Sequence, residues 1–199
     1  MLVSWHMNKL IKTLFFTIFL TSLAQADDIT DYEIEGMRIG ESALEYFNKN
    51  EIEKNIQNYY PNKEVLPVWL PFDDKLNTYD GVQFHYKKND KEFKFLAISG
   101  VIWHKNDYKG CMKKLETVDQ NLKDIFKNAS RQVRKNEPHN GDPSGESIFS
   151  GVYYVLNTKD FASVICYDWS DNLKQFGDNL RVSLRTKEYQ DWINNKAYK

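Results

Sequence analysis

The chain has 199 residues, 27 basic and 28 acidic side chains, a formal net charge of −1 and 15% aromatic residues. So balanced a charge argues against a nucleic-acid or anionic-membrane partner recognised by bulk electrostatics. Its 12 Tyr, 12 Phe and 5 Trp fit a chain that buries an aromatic core rather than a disordered one.

Lys9 and Lys12 precede the apolar run Leu14 to Leu20, and Ala24-Gln25-Ala26 follows. Charge, apolar core and small-residue exit in that order predict a cleaved export signal over 1–26. The run is shorter than the roughly 20 residues of a spanning helix, and Asp27-Asp28 follows it, so no retained anchor is expected. No cysteine stands at the cleavage point to take a lipid. Met7 would begin a more compact signal of the same kind, so His6 is not counted as a ligand. Cleavage removes two lysines and no carboxylate and leaves 27–199 as one domain at −3, long enough to bury a core. The expected location is the periplasm or beyond, without a membrane span after cleavage.

Tyr32-Glu33-Ile34 reads as a short extended segment ending at Gly36. Ser42-Ala43-Leu44-Glu45 has the spacing of a capping box opening a helix with Leu44 and Phe47 on one face. Asn50-Glu51-Ile52-Glu53 offers a second cap, and Pro61 stops the helical rhythm. Pro67 and Pro71 bracket Val68-Trp69-Leu70, so Val65 to Phe72 is expected as an extended connector outside any central strand.

From Tyr79 the apolar period becomes two: Val82, Phe84 and Tyr86 alternate with Gln83, His85 and Lys87 in a strand with one wet face. Lys88 to Lys91 makes a turn, and Phe93 to Trp103 returns as a central strand apolar on both faces. Asp107 caps the clearest helix, in which Tyr108, Cys111, Met112, Leu115, Val118, Leu122, Ile125 and Phe126 recur at steps of three and four. From Lys127 that rhythm fails, and two prolines and two glycines between Pro138 and Gly145 predict a long exposed loop. Three strands follow, Ile148 to Leu156, Phe161 to Trp169 and Leu180 to Leu184; Thr186 then caps a last helix with Tyr189, Trp192 and Ile193 on one face.

These elements predict an α+β fold. A single antiparallel sheet of about five strands would carry the long helix on one face, with helices at both ends. Cys111 and Cys166, an even pair in an exported chain, are expected to form a disulfide that staples that helix to the sheet.

Ile34 to Ser42 just inside the signal, with Cys166-Tyr167-Asp168-Trp169-Ser170 near the end, resembles a family of uncharacterised exported proteins of Gram-negative bacteria. The resemblance spans most of the mature chain and implies export and a single domain. It carries no functional residue across.

Gly40-Glu41-Ser42 lacks the lysine of a phosphate loop, and Leu44 stands where a nucleophile elbow needs glycine, so Ser42 is read as a cap. His139, Asp142, Ser144 and Ser147 bring the residue types of base, orienting carboxylate and hydroxyl nucleophile into one loop. The competing reading is a turn-rich loop whose Asp and Ser make local backbone bonds. His85 and His104 on neighbouring strands are candidate metal ligands, to be completed by Asp107 or Asp168. Asp168, between Tyr167 and Trp169, is a candidate half-buried carboxylate with either a raised pKa or a lysine partner. No motif calls for a cofactor.

The leading functional expectation is an exported, non-catalytic binding or envelope accessory protein whose partner is a small molecule or an envelope protein. The alternatives are an exported hydrolase using His139 with Ser144 or Ser147, and an inhibitor or immunity-type module.

Overall fold

The computed structural model describes residues 28–71 and 78–199; the expected signal over 1–26 lies outside the described residues, as does Phe72 at the end of the expected connector. The five-stranded α+β expectation is corrected. The protein is mostly β, with a seven-stranded antiparallel sheet, a separate two-stranded hairpin and few helices.

The hairpin pairs β1 (Glu33–Ile34) with β2 (Met37–Arg38) through Glu35 and Gly36. Both turn residues have positive φ, 53° and 80°, the two-residue geometry whose twist matches the flanking strands. Ser42 does cap the next turn, but its Oγ accepts from Leu44 N at 3.2 Å, and only a 3-10 turn, Ala43–Glu45, follows. The reason is tertiary. Ser42 Oγ donates to the Glu92 carbonyl at 2.5 Å and Ala43 N to that of Phe93, which ties the segment to the chain entering the sheet rather than to a helix of its own. Leu44 is left exposed, and α1 (Lys49–Lys54) starts instead at Asn48, whose side chain accepts from Glu51 N.

The large sheet has the order β3 (Val65–Pro71), β4 (Gly81–Lys87), β5 (Ala97–Trp103), β9 (Asn179–Arg185), β8 (Phe161–Asp168), β7 (Ile148–Val155), β6 (Ser130–Pro138). Two meanders, β3–β4–β5 and β6–β7–β8–β9, are joined by α2 (Tyr108–Ile125) and closed by β5 pairing with β9. The two strands that sequence patterning missed are the edges. β3 tolerates Pro67 and Pro71 because an edge strand has one side without a hydrogen-bonding neighbour. β6 is almost wholly exposed, with Val133 its sole aliphatic residue, and its register slips between Arg134 and Glu137. A bulged, charged edge resists pairing with another chain, and it leaves no apolar alternation to detect.

The pleat sends alternate residues to two faces. On the first face Val68, Phe84, Ile98, Leu184, Ala162 and Tyr154 lie in cross-strand register, covered by α2 and by the N-terminal segment, where Phe47 stacks on Phe84 at 6.0 Å. Asp107 caps α2 by accepting from Gly110 N at 2.8 Å. Cys111 in the first turn of α2 is joined to Cys166 of β8 by a disulfide with 5.9 Å between Cα atoms. Further along α2, buried Asp119 accepts from Nε and Nη2 of Arg131, at 3.0 and 2.6 Å, and from the Tyr154 hydroxyl. The second face meets α3 (Lys187–Asn195), capped by Thr186, through Tyr189, Trp192 and Ala197 packed on Val65 and Ala97.

Candidate ligand-binding face

The second face is polar where a buried sheet face is ordinarily apolar. One cross-strand row runs Gln83, Ser99, Ser183, Ser163, Tyr153, and the rows on either side place Arg181 beside Ile165 and Arg185 beside Phe161. Gln83, Ser99, Ser183 and Ser163 are all buried. Ser99 and Ser183 share a hydrogen bond of 2.8 Å, whereas the fully buried Ser163 Oγ has no partner among the described residues. β9, the middle strand of the seven, thus presents Arg181-Ser183-Arg185 at every second position.

A collar of rings stands over this floor. His139 packs on Trp169 at 4.5 Å, Trp169 on Phe176 at 5.0 Å, Phe176 on Tyr59 at 6.0 Å, Tyr59 on Tyr60 at 6.2 Å and Tyr60 on Tyr198 at 5.3 Å. The Tyr198 hydroxyl in turn lies 3.7 Å from where a Cβ on Gly141 would stand, beside His139. The run of rings thus begins and ends near the same loop, that of His139 and Gly141. Four separate chain segments build the collar: the loop after α1, the loop between β6 and β7, the stretch after β8 with its 3-10 turn Asp171–Phe176, and the tail after α3. Within it Tyr167 lies nearly parallel to Trp169, 5.8 Å away and 13° between planes, and the Arg181 guanidinium sits 5.6 Å from the Tyr167 ring centre. That cation–π contact holds the charge against the aromatic shelf.

Neither arginine meets a carboxylate among the described residues. Arg181 Nη1 donates to the Gln83 side-chain oxygen while its Nε has no partner, and Arg185 Nη1 makes a long contact of 3.4 Å to the Gln190 side-chain oxygen. The neighbouring ionisable groups do not compensate. Burial pushes the Tyr60, Tyr153, Tyr189 and Tyr198 hydroxyls above their ordinary value, which keeps them uncharged. Burial first, and then Arg181 and Arg185, hold buried His85 well below the ordinary imidazole range, and its Nε2 pairs with the Tyr189 hydroxyl at 3.1 Å. His139 is lowered by burial and then by Arg181, with Asp142 opposing. The face carries two guanidinium charges that no carboxylate pairs with among the described residues.

The loop singled out for catalytic residue types is held by its own bonds. Asp142 accepts from Ser144 N and Oγ at 2.9 and 2.7 Å and from Ser147 N at 2.8 Å, which holds its carboxyl well below the usual range. Ser147 Oγ pairs with Ser170 Oγ at 3.2 Å, and His139 Nδ1 accepts from Gly141 N at 3.0 Å. His139 N donates to the Ser147 carbonyl at 2.9 Å, but among the described residues no hydrogen bond joins the His139 ring to the hydroxyl of Ser144 or Ser147. His139 enters the collar as a ring, packed on Trp169 and Tyr167.

His85 and His104 do not converge. His85 stands opposite Ala97 at one end of β5, whereas His104 follows the other end, and Asp107 is committed to its cap. Among the described residues no group of three or more His, Cys, Asp or Glu is placed to hold a metal ion. Asp168 is half-exposed at the end of β8, with Lys174 Nζ 3.6 Å away.

A concavity of about 970 Å³ opens elsewhere, beside α3 between Lys63, Lys87, Lys88 and Trp192. Its charges are largely matched: Lys87 pairs with Glu188 at 2.7 Å, Lys196 with Glu64 at 3.0 Å and Lys187 with Asp191. These pairs take up three of its five lysines, and no buried polar side-chain atom of its lining is left without a partner among the described residues.

Sequence reading missed Arg181, Arg185, Ser163, Tyr167 and the collar. The signal was present in Leu180-Arg181-Val182-Ser183-Leu184-Arg185, whose strict alternation puts two arginines on one face of a strand. It gained meaning only once β9 proved central.

No family model, curated protein or solved structure matches the chain.

Proposed function

We propose that the protein is an exported, non-catalytic binding protein that seats a small molecule on the second face of its sheet, inside the aromatic collar. The observation that carries this reading is the run of ring contacts from His139 to Tyr198 beside two guanidinium groups that have no carboxylate partner among the described residues. Rings contributed by four chain segments give flat apolar walls, and a few polar groups on a rigid floor give orientation, the usual division of labour in a ligand site. A buried Cys111–Cys166 disulfide agrees with an oxidising compartment, and no described helix is long and apolar enough to cross a membrane. Periplasmic or secreted residence and the family of exported proteins belong to the same proposal. The locally saturated Asp142 and Ser147 give no support to the hydrolase alternative.

The full chain should be expressed with export, purified without denaturant and extracted with organic solvent for mass spectrometry. The expected result is a small-molecule species retained by the wild type and reduced about five-fold or more in Trp169→Ala, since stacking on one aromatic side chain is worth on the order of 1–2 kcal/mol. Equal retention by both proteins, or no retained species in either, contradicts the proposal.

A further inference from the structure

The charge on the floor of the site narrows what it can hold. Arg181 and Arg185 are four residues apart on one strand, so their Cα atoms stand about 13 Å apart on the same face, with Ser183 between them. Guanidinium groups stay charged under all ordinary conditions. Partial withdrawal from water costs free energy unless the lost hydration is replaced, and each group has five N–H donors to satisfy. Here each finds one neutral amide oxygen, Gln83 or Gln190. The nearby tyrosines stay protonated, so they accept weakly and do not neutralise. Opposite Ser183 on β8, between the Arg181 and Arg185 rows, the fully buried Ser163 hydroxyl is also without a partner among the described residues.

Resting on the binding reading above, we infer that Arg181 and Arg185 recognise an oxyanion, a carboxylate or a phosphate, on a small ligand whose ring lies against Tyr167 and Trp169, with Ser163 Oγ as a further donor. Charge-assisted bonds from a planar fork to a two- or three-oxygen anion have the geometry these side chains offer. The rings select for a flat or apolar body, and the arginines for the charged end. A structural role, in which the guanidiniums only brace the rings, predicts no discrimination between acid and neutral ligands.

Matched ligand pairs separate the two. Indole-3-acetate with indole-3-acetamide, benzyl phosphate with benzyl alcohol, and glucuronate with glucose are titrated by calorimetry or saturation-transfer NMR, with inorganic phosphate alone as a further arm. The proteins compared are the wild type, Arg181→Gln, Arg185→Gln and, as a distant exposed charge on α2, Lys114→Gln.

In at least one pair the acid should bind the wild type and Lys114→Gln about ten-fold or more tightly than its neutral partner, and the preference should shrink to within about three-fold in each arginine variant. Should an arginine variant lose its fold by circular dichroism, the wild type still decides: raising ionic strength must weaken the acid and leave the neutral partner unchanged. Preference for benzyl phosphate shared by inorganic phosphate assigns a phosphate seat; preference confined to indole-3-acetate or glucuronate assigns a carboxylate seat. Equal binding of acid and neutral members to the wild type overturns the oxyanion inference and leaves the binding reading standing. Binding of no pair member overturns the inference, while small-molecule retention by natively purified protein judges the binding reading separately.

Discussion

Replacing both cysteines, Cys111→Ala with Cys166→Ala, should lower the unfolding free energy by about 4 kcal/mol. The bridge closes a loop of 55 residues containing most of α2 and all of β6 and β7, and releasing it gives the unfolded chain the freedom the cross-link denied. Cys111 and Cys166 are both buried, so the bond also pins the start of α2 directly onto the first sheet face. For a chain of this size the loss corresponds to a fall in melting temperature of roughly 10 °C. Urea unfolding of the oxidised wild type and the double variant measures it. A midpoint shift below a quarter of that expected, with an unchanged slope, would mean that the staple adds little to the packing. Mass measurement after alkylation provides the companion result: thiols label in the unfolded wild type only after reductant.

The second large effect is expected at Asp119. Burial pushes its carboxyl upward, but hydrogen bonds from Arg131, Tyr154 and Lys123 more than offset this and leave it below its ordinary value of 3.8. Asp119→Ala removes the anchor of the Arg131 guanidinium and leaves the buried Tyr154 hydroxyl only the Asp119 backbone oxygen, 3.1 Å away. Loss of a buried partner in a charged network costs on the order of 3–5 kcal/mol when the remaining charge is trapped. Arg131 can turn to water, so about 2–3 kcal/mol is expected here. The sign with pH follows from the direction of the shift. A carboxyl whose folded pKa lies below its unfolded value contributes stability that is present above about 4 and is lost as pH falls through the folded value. The wild type should therefore lose its margin over Asp119→Ala as pH falls below about 4, and denaturant midpoints between pH 7 and 2.5 show it. A margin independent of pH would assign the effect to packing alone.

The physical patterns that showed in the sequence were those with regular apolar spacing, although the face of β4 expected to be wet is buried, with Gln83 and His85 inside. The helix from Tyr108 to Ile125, its Asp107 cap, the Thr186 cap and strands β4, β7, β8 and β9 all repeat at their element's own period, so local patterning found them. The fold class was misjudged through the edges. β6 exposes nearly every side chain and β3 carries two prolines, so neither alternates as a half-buried strand does. Ser42 shows the same limit at smaller scale: its capping box lost to a hydroxyl bond with Glu92, fifty residues away.

The candidate site was harder to see because cross-strand register assembles it. Ser163, Ser183 and Ser99 come from three strands and meet only through pairing. His139 had been singled out as a base, yet its surroundings use it as an aromatic ring that the neighbouring guanidinium helps keep uncharged. Two arginines on one face of a strand were legible throughout. That this strand is the middle one of seven, and its arginine face lies beneath a collar of rings, is a property of topology.

The central claim is the place where a ligand sits. Titration of ¹⁵N-labelled protein with indole-3-acetate, benzyl phosphate and glucuronate, followed by two-dimensional amide and indole NMR, tests it most directly. The Trp169 indole N–H, which has no partner among the described residues, should shift together with amides of β8 and β9 along one saturating curve, while α2 stays still. Shifts confined to α2, to β6 or to the groove beside α3, with the Trp169 signal unmoved, would contradict the account.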